Sequence, residues 1–325
     1  AGGVLPDAPP RPRPVSTPVA RPAGGAGKLP TSLTASFVRG KFKGSEAEQN
    51  VLRMGAMINN KRFDPFFPSD SEPRNFMGDP FTDPDGLPAL SEKQKNHKAV
   101  WGRPTQFMKQ PEVIKRFYPE DIEQTLVGDC SFVSSLAVCA QWERRFKQTL
   151  ISKNIYPQRD GRPVVSPNGK YIVKMYLNGT VRKIIVDDLL PVSPRQSPDD
   201  PPRLLCSFSR FDGELWVSIF EKAYIKLHGS YDFPGSTSSV DLHALCGWIP
   251  ETFRLKQKTD EDKENNLTPE QAWQRMSQAY VKGTALFTMG TRALSEQDEE
   301  RTGLAEKHAY AVLDVREVCG RRVVK

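Results

Sequence analysis

The sequence predicts an α+β protein that is helical in its first part and β-rich towards its end. Apolar residues recur every three to four positions over residues 132–140 and again over residues 214–227, which is the periodicity of helices that bury one face. Residues 170–177 and 180–186 flank Asn178-Gly179, a pair typical of a type I′ hairpin turn. Helices and antiparallel strands in separate stretches favour the α+β class.

Three further helices are predicted from capping residues and apolar spacing. Residues 46–60 contain one, and Ser91 is the expected cap of a polar helix that ends before Pro104. Thr268 begins a capping box with proline at the first helical position, and Gly283 is the expected end of that helix.

The last part of the chain predicts strands. Residues 284–289 and 308–318 are apolar runs that we expect to be buried strands, and residues 290–307 between them are expected to form a polar loop. A Gly/Ser/Pro/Thr-rich stretch at residues 229–240 predicts a domain boundary.

Three other stretches predict loops. Residues 62–90 combine five phenylalanines with many prolines, so we expect a loop that lies over the core and is anchored by its aromatic rings. Residues 194–203 and the charged residues 256–266 are expected to be exposed.

The first 45 residues predict a disordered basic linker. They are rich in Pro, Gly and Ala and contain seven Lys or Arg against one Asp, so they carry +6 of the net charge of +7. The alternative is that a partner docks their proline-rich part as a polyproline helix. Because the remainder of the chain is nearly neutral, nucleic-acid binding is not expected.

The five cysteines do not predict a disulfide framework or a zinc site. They are odd in number, widely spaced and contain no CxxC pair. A reducing compartment fits this pattern better. No apolar run approaches 18 residues, and the first residues lack a secretory signal, so no membrane insertion is expected.

Cys130 is the candidate nucleophile. It ends a Gly-Asp turn and begins a helix that is expected to run to about Leu150, and helix N-termini lower thiol pKa values. Gln124, six residues earlier, is a candidate second donor of an oxyanion hole, beside the Cys130 backbone N–H. The alternative is an inert buried cysteine.

Of the four histidines, His308 is the candidate general base. It opens a predicted strand directly after a polar loop, which would place its imidazole at the edge of a cleft. The alternative is an edge histidine with a backbone partner. His97 is expected to be solvated, His228 to interact with a helix dipole, and His243 to be structural.

The motifs around these residues resemble the calpain family of cysteine proteases. They are Gln124-x₅-Cys130, the Gly-Asp-Cys turn, Glu214-Leu-Trp…Glu221-Lys-Ala-Tyr224 and His308-Ala-Tyr-Ala-Val-Leu. Cys130-Ser-Phe-Val and Tyr231-Asp-Phe-Pro-Gly-Ser236 are closer to the PalB-like (calpain-7-type) branch, which has Ser where conventional calpains place Trp after the cysteine. The resemblance covers about residues 78–325.

This resemblance implies a papain-like protease core of two subdomains. A helical lobe within residues 46–232 would carry Cys130, and a β-rich lobe formed by residues 233–325 would carry His308. Cys130 would be the nucleophile, His308 the base and acid, and Gln124 an oxyanion donor. The reaction would be intracellular limited proteolysis through an acyl-enzyme, with no cofactor required.

The resemblance also implies partners and a location. The substrate would be a protein, and endosomal-sorting (ESCRT-III) proteins would bind through regions outside this chain. The location would be the cytoplasm, with association with endosomes as a further expectation. The alternative function is a catalytically weak or dead calpain-fold scaffold that recruits such partners.

Two departures from the family pattern bear on activity. The family's third catalytic residue is the Asn of an Asn-Pro-Trp motif after the His, and no such motif occurs before Lys325, so we expect the chain by itself to be a fragment with impaired activity. Conventional calpains are calcium-dependent. Asp121 and Glu214 occupy positions that resemble those of two acidic ligands of the first subdomain, so they are candidate Ca²⁺ ligands. Two carboxylates alone do not make a Ca²⁺ site, and the alternative is that they are surface acids or charges at helix N-termini.

Overall fold

A computed structural model describes residues 45–66, 75–195, 197, 202–254 and 267–325. It confirms the predicted α+β class. The linker prediction for residues 1–45 and the loop prediction for residues 256–266 lie, apart from Ser45, outside the described residues. The loop prediction for residues 194–203 does so in part.

Seven α-helices lie within the described residues, and they are numbered here in chain order. They are α1 (Glu46–Met54), α2 (Glu92–Asn96), α3 (Cys130–Phe146), α4 (Trp216–His228), α5 (Ser238–Cys246), α6 (Pro269–Lys282) and α7 (Glu296–Thr302). None of the helices in this part of the chain is both long and apolar enough to cross a membrane.

The strands are short and pair antiparallel. They are β1 (Met57–Ile58), β2 (Lys61–Arg62), β3 (Val100–Gly102), β4 (Ile122–Glu123), β5 (Ile155–Tyr156), β6 (Gln158–Arg159), β7 (Arg162–Pro163), β8 (Lys170–Leu177), β9 (Thr180–Asp187), β10 (Leu190–Val192), β11 (Phe208–Ser209), β12 (Thr288–Gly290), β13 (Ala309–Ala311), β14 (Val315–Val318) and β15 (Arg321–Val324). The largest sheet of the described residues has the order β5-β8-β9, and the others have two strands.

The predicted hairpin provides two of the three strands of that sheet, β8 and β9. Leu177 pairs with Thr180 across Asn178-Gly179, and both turn residues have positive φ (45° and 76°), as a type I′ turn requires. Helices α4 and α5 pack on β8, and α3 packs on α5. The inward side chains of these elements form one continuous core.

Helix α4 is buried along almost its whole length, including two lysines. Lys226 Nζ binds Asp83 Oδ2 at 2.6 Å and Asp85 Oδ2 at 2.7 Å, and Lys222 Nζ binds Asp187. These carboxylates explain why two cations can lie in the interior. Each buried ammonium group contacts a carboxylate of opposite charge and has further hydrogen-bond acceptors.

Three sequence predictions were wrong about the end of the chain. Residues 290–307 are not simply a loop, because they contain α7, whose N-terminus is capped by the Ser295 hydroxyl through the Asp298 N–H at 3.1 Å. Helix α7 buries no residue, so apolar periodicity could not reveal it. Residues 284–289 and 308–318 do not form continuous buried strands, because only shorter pieces of them pair and most of these are partly exposed.

Two helix boundaries also differ from the sequence predictions. The first helix ends at Met54 rather than residue 60, since Asn59 and Asn60 have φ of 48° and 60° and turn the chain into the β1–β2 hairpin. The Cys130 helix ends at Phe146 rather than Leu150, because the next residue is left-handed. Helix α5 was not predicted.

The aromatic loop of residues 62–90 behaves as predicted where it is described. Phe63 and Phe76 are buried, and Phe66 packs on Tyr156 with ring centroids 5.4 Å apart. These rings hold the loop on the core.

Glu143 fixes the turn that follows α3. Its Oε1 accepts the backbone N–H groups of Leu150, Ile151 and Ser152 at 2.6–2.8 Å, and its Oε2 accepts the Ser152 hydroxyl at 2.6 Å. Both oxygens of this buried carboxylate therefore face donors only.

We expect Glu143→Gln to lower the free energy of unfolding by about 1–3 kcal/mol, since the new NH₂ group must face a donor in a buried site. Urea denaturation measures the change. Glu300→Gln, at an exposed position of α7, is the matched control and should stay within about 0.5 kcal/mol of the unsubstituted chain. Equal effects of the two substitutions would contradict this role of Glu143.

Candidate active site

Cys130 is the first residue of α3, as the sequence predicts. Asp129 is the N-cap residue, and its carbonyl accepts the N–H groups of Phe132 at 2.8 Å and Val133 at 3.0 Å. The thiol is half-buried. As the first residue of this 17-residue helix, Cys130 lies at the positive end of the helix dipole.

The turn before Cys130 packs directly against a second segment. A Cβ added to Gly128 would lie 3.0 Å from the Phe233 carbonyl oxygen, which is closer than side chains normally approach. The absence of a side chain at Gly128 thus allows the close approach of the Phe233 backbone.

Gln124 lies on this turn but directs its amide inward. Its Nε2 donates to the Val127 carbonyl at 2.8 Å and to Asp129 Oδ1 at 3.3 Å. The amide therefore braces the turn in this arrangement. Its role as an oxyanion donor stays a prediction.

A chain of hydrogen bonds begins at Ser131, the residue after Cys130. The Ser131 and Ser236 hydroxyls are 2.9 Å apart, and Ser236 donates to Asp241 Oδ1 at 2.6 Å. The Tyr224 hydroxyl donates to the same oxygen. Sequence reasoning missed this chain, although Ser131, Tyr224 and Ser236 all stand in the motifs that resemble the calpain family.

His308 immediately precedes β13 and is half-buried. Its backbone is fixed by Thr291: the His308 N–H donates to the Thr291 hydroxyl at 3.0 Å, and its carbonyl accepts the Thr291 N–H at 2.9 Å. The ring makes an edge contact with Tyr310, with centroids 5.0 Å apart. No described residue hydrogen-bonds to its ring nitrogens, Cys130 included.

The strand of His308 is nevertheless attached to the helix of Cys130. Helix α3 packs on β13, and Gln141 Nε2 donates to the Leu313 carbonyl at 3.0 Å. Trp142 Nε1 donates to the Gly283 carbonyl at 2.8 Å. The Tyr280 hydroxyl donates to the Leu313 carbonyl at 2.9 Å. The structure thus links the two candidate residues through α3 rather than by direct contact.

The other histidines have local partners. His97 Nδ1 lies 2.9 Å from the Lys93 carbonyl at the surface, and His243 Nδ1 lies 3.2 Å from that of Trp248. The His228 ring packs on Tyr224, with centroids 4.4 Å apart, and burial lowers the pKa of its imidazole.

Both candidate calcium ligands, Asp121 and Glu214, contact other groups of the protein, and their role as ligands stays a prediction. Glu214 Oε1 accepts three backbone N–H groups, those of Lys115, Arg116 and Phe117, at 2.8–2.9 Å, and Oε2 accepts the Ser209 hydroxyl at 2.6 Å. Asp121 Oδ2 lies 3.5 Å from Arg116 Nε. A cation would meet hydrogen atoms at Glu214. Within the described ranges, no group of three or more His, Cys, Asp or Glu could hold a metal.

Comparison with known proteins decides the family, because a model of the calpain family cysteine protease domain matches residues 64–325. The chain belongs to the calpain family. It is 44% identical to mouse calpain-7 over 286 residues, covering 88% of the chain and 34% of that protein. It is 36% identical to the calpain-like protease palB/RIM13 of Aspergillus oryzae over 288 residues, covering 85% of the chain and 32% of that protein.

A third calpain relative, the palB/cpr-8 protease of Neurospora crassa, is 43% identical over 236 residues, which are 70% of the chain and 24% of that protein. The chain thus spans about a third or less of the length of these relatives. The predicted resemblance to the PalB-like branch of calpains is confirmed. Where the two subdomains meet, with the boundary expected after residue 232, stays a prediction.

We expect Gly128→Ala to reduce the rate of Cys130 alkylation about tenfold, since the added methyl group must push the turn away from Phe233. The rate with iodoacetamide, read by mass spectrometry at Cys130, measures this. Exposed Cys319 is an internal control whose rate should not change. An unchanged rate at Cys130 would show that the close approach does not position the thiol.

Proposed function

We propose that this calpain domain is the catalytic part of a cysteine endopeptidase that performs limited proteolysis. The observation that carries the proposal is the attachment of the His308 strand to the helix that begins at Cys130. The Gln141–Leu313 hydrogen bond and the packing of α3 on β13 support it.

The lengths of the two elements support a meeting of the two side chains. From Cys130 to Gln141 the helix rises about 16 Å, at about 1.5 Å per residue. From His308 to Leu313 an extended chain spans about 16 Å, at about 3.3 Å per residue. Because Gln141 and Leu313 are hydrogen-bonded, a strand that runs alongside α3 would bring His308 to the level of Cys130.

In the proposed reaction, the His308 imidazole takes the Cys130 thiol proton and the sulfur attacks the scissile carbonyl carbon. The negative oxygen of the tetrahedral intermediate would be stabilised by the Cys130 backbone N–H and the Gln124 amide. His308 then protonates the leaving amine, and water hydrolyses the acyl-enzyme. The Gln124 amide would have to exchange one of its present acceptors for the substrate oxygen.

We further propose a protein substrate in the cytoplasm and, in association with endosomes, ESCRT-III partners bound outside this chain. The resemblance to PalB-like calpains supports this location and these partners. The same resemblance supports the proposal that activity also requires an Asn that follows His308 in the sequence.

A non-catalytic scaffold is the second candidate function. Two observations favour it: both hydrogens of the Gln124 amide are taken by the protein, and no hydrogen bond joins Cys130 to His308 among the described residues. A scaffold would retain its biological function when the thiol is removed.

We expect an E-64-type epoxide to label Cys130 in the complete protein and not to label exposed Cys319, because only an activated thiolate opens the ring rapidly. Cys130→Ala and His308→Ala should abolish labelling and cleavage of an unfolded protein substrate. Cys319→Ser is the matched control and should change neither.

The scaffold makes the opposite prediction. If the complete protein neither labels nor cleaves, and Cys130→Ala restores function to cells that lack the protein, the endopeptidase proposal is wrong.

We also propose that Asp121 and Glu214 do not hold Ca²⁺. Millimolar Ca²⁺ should then leave the thermal midpoint of the chain unchanged, since a ligand raises it only by binding the folded state. Glu214→Gln should lower the midpoint equally with Ca²⁺ or with a chelator, because its role is to accept N–H groups. A Ca²⁺-induced rise that Glu214→Gln removes would contradict this proposal.

A further inference from the structure

Two carboxyl groups lie buried against each other beneath the Cys130 turn. Asp129 is the N-cap of α3, and Glu221 lies in the middle of α4. Neither residue has any exposed surface, and their side chains are within hydrogen-bonding contact of each other.

Each carboxyl group uses one oxygen to accept a hydrogen bond from another segment. Asp129 Oδ1 accepts from Gln124 Nε2 at 3.3 Å, and Glu221 Oε1 accepts from the Ser207 N–H at 2.8 Å. The second oxygens, Asp129 Oδ2 and Glu221 Oε2, are buried without a hydrogen-bond partner in the described part of the chain. The Ser207 hydroxyl is buried in the same way, and this side chain favours the charged form of Glu221, which opposes the raising of its pKa by burial. The two second carboxyl oxygens are the atoms left for the contact between the two carboxyl groups.

Two facing carboxylates cannot both be ionised in a dry interior. The cation nearest along α4, Lys222, is bound to Asp187. Burial, followed by the charge of Glu221, raises the pKa of Asp129 well above its ordinary value, and burial raises that of Glu221. A proton between the two second oxygens removes the repulsion and satisfies both atoms.

We propose that Asp129 and Glu221 share one proton, and that this acid–carboxylate pair is the positioning device for Cys130 and Gln124. The effect on catalysis rests on the proposed endopeptidase function. The pair itself rests on the buried contact.

The pair acts through the backbone of the turn. The Asp129 carbonyl accepts the first N–H groups of α3, and its Oδ1 holds the Gln124 amide. The shared proton ties this residue to α4. If the proton is lost, two adjacent negative charges push Asp129 away, and the thiol and the oxyanion donors move with it.

Other titratable groups lie near the pair. Burial raises the pKa of Cys206, of Tyr231 and of Tyr224, all of which feel the charge of Asp129. Burial also lowers the pKa of Lys222, which is bound to Asp187, and raises that of Asp241, which is bound to Tyr224. Asp129→Asn leaves these groups in place, so a pH-dependent difference between that variant and the unsubstituted chain reports on the carboxyl pair.

Amide substitutions test the shared proton directly. In Asp129→Asn, the NH₂ group can replace the acid and donate to the Glu221 carboxylate. In Glu221→Gln, the NH₂ group donates to the Asp129 carboxylate. In the double variant two NH₂ groups face each other, because the remaining oxygens are held by the Gln124 amide and the Ser207 N–H.

We expect each single amide variant to stay within about threefold of the unsubstituted protein in kcat/KM, and the double variant to lose about tenfold or more, since a buried donor is left unsatisfied. The loss should lie in kcat rather than KM, because the turn holds reacting groups. Asp129→Ala should lose activity as the double variant does. The rate of Cys130 alkylation should follow the same order, independently of proteolysis.

The control for this cycle is Asp129→Asn combined with Glu143→Gln. Glu143 is a buried carboxylate with donors on both oxygens and no carboxyl partner. The effects of those two substitutions on unfolding should add, whereas those of Asp129→Asn and Glu221→Gln should not.

The pH dependence of the free energy of unfolding distinguishes the shared proton from a packing effect, because a change in packing alone would not alter it. The pKa of Asp129 is raised in the folded chain and is ordinary, about 4, in the unfolded chain. The unfolded chain therefore releases this proton first, and the stability of the unsubstituted protein falls as pH rises from about 4 towards the folded pKa. Asp129→Asn lacks this loss, so its stability relative to the unsubstituted chain should increase with pH over that range.

The outcomes separate the two proposals. Additive effects in the Asp129–Glu221 cycle, or an Asp129→Asn variant as impaired in alkylation as Asp129→Ala, would overturn the shared proton. If alkylation and stability follow the expected order while no variant cleaves a protein substrate, the shared proton stands and the endopeptidase proposal fails.

Discussion

Buried carboxylates set the architecture around the Cys130 helix, because each one needs donors, a cation or a proton. Glu143 and Glu214 each receive three backbone N–H groups and a serine hydroxyl. Asp83 and Asp187 form ion pairs with Lys226 and Lys222 of α4, respectively. Within the described residues, Asp129 and Glu221 instead face each other. These arrangements differ in what lies beside the buried carboxyl group: hydrogen-bond donors, a cation, or a second carboxyl group with a proton between them.

These carboxylates also join segments that are far apart in the sequence. Glu214 fixes the loop at residues 115–117, about a hundred residues before it, and Asp83 reaches α4 across 143 residues. Apolar packing alone would leave such loops free to slide, whereas an ionised group with several donors has one geometry. The Cys130 turn is thus held in a frame of charge-assisted hydrogen bonds.

Local signals in the sequence predicted the elements whose causes are local. The Asn178-Gly179 hairpin, the apolar face of α4 and the Thr268 capping box of α6 all form as expected, since each is decided within a few residues. Helix α7 was missed because it is polar on every side. Its N-cap at Ser295 was visible, but a cap without apolar periodicity is too common to predict a helix.

For the candidate site, the sequence could indicate Cys130 and His308 but not their relation. That relation depends on Gln141 meeting Leu313, a contact between residues 172 positions apart. In the same way, Glu221 was visible only as part of a family motif. Its pairing with Asp129 follows from the packing of α4 beneath the turn, which periodicity cannot reveal.

Helix α4 is connected to both chain neighbours of Cys130, Asp129 and Ser131. On one side Asp129 contacts Glu221, and on the other Ser131 reaches Tyr224 through Ser236 and Asp241. Glu221 and Tyr224 are three residues apart, so both face the same side of α4 about one turn from each other. Two attachments one turn apart fix both position and direction of the start of α3. The position of the half-buried sulfur between them is then set by the side-chain torsion of Cys130, and the proposed nucleophile would need this freedom to reach a substrate.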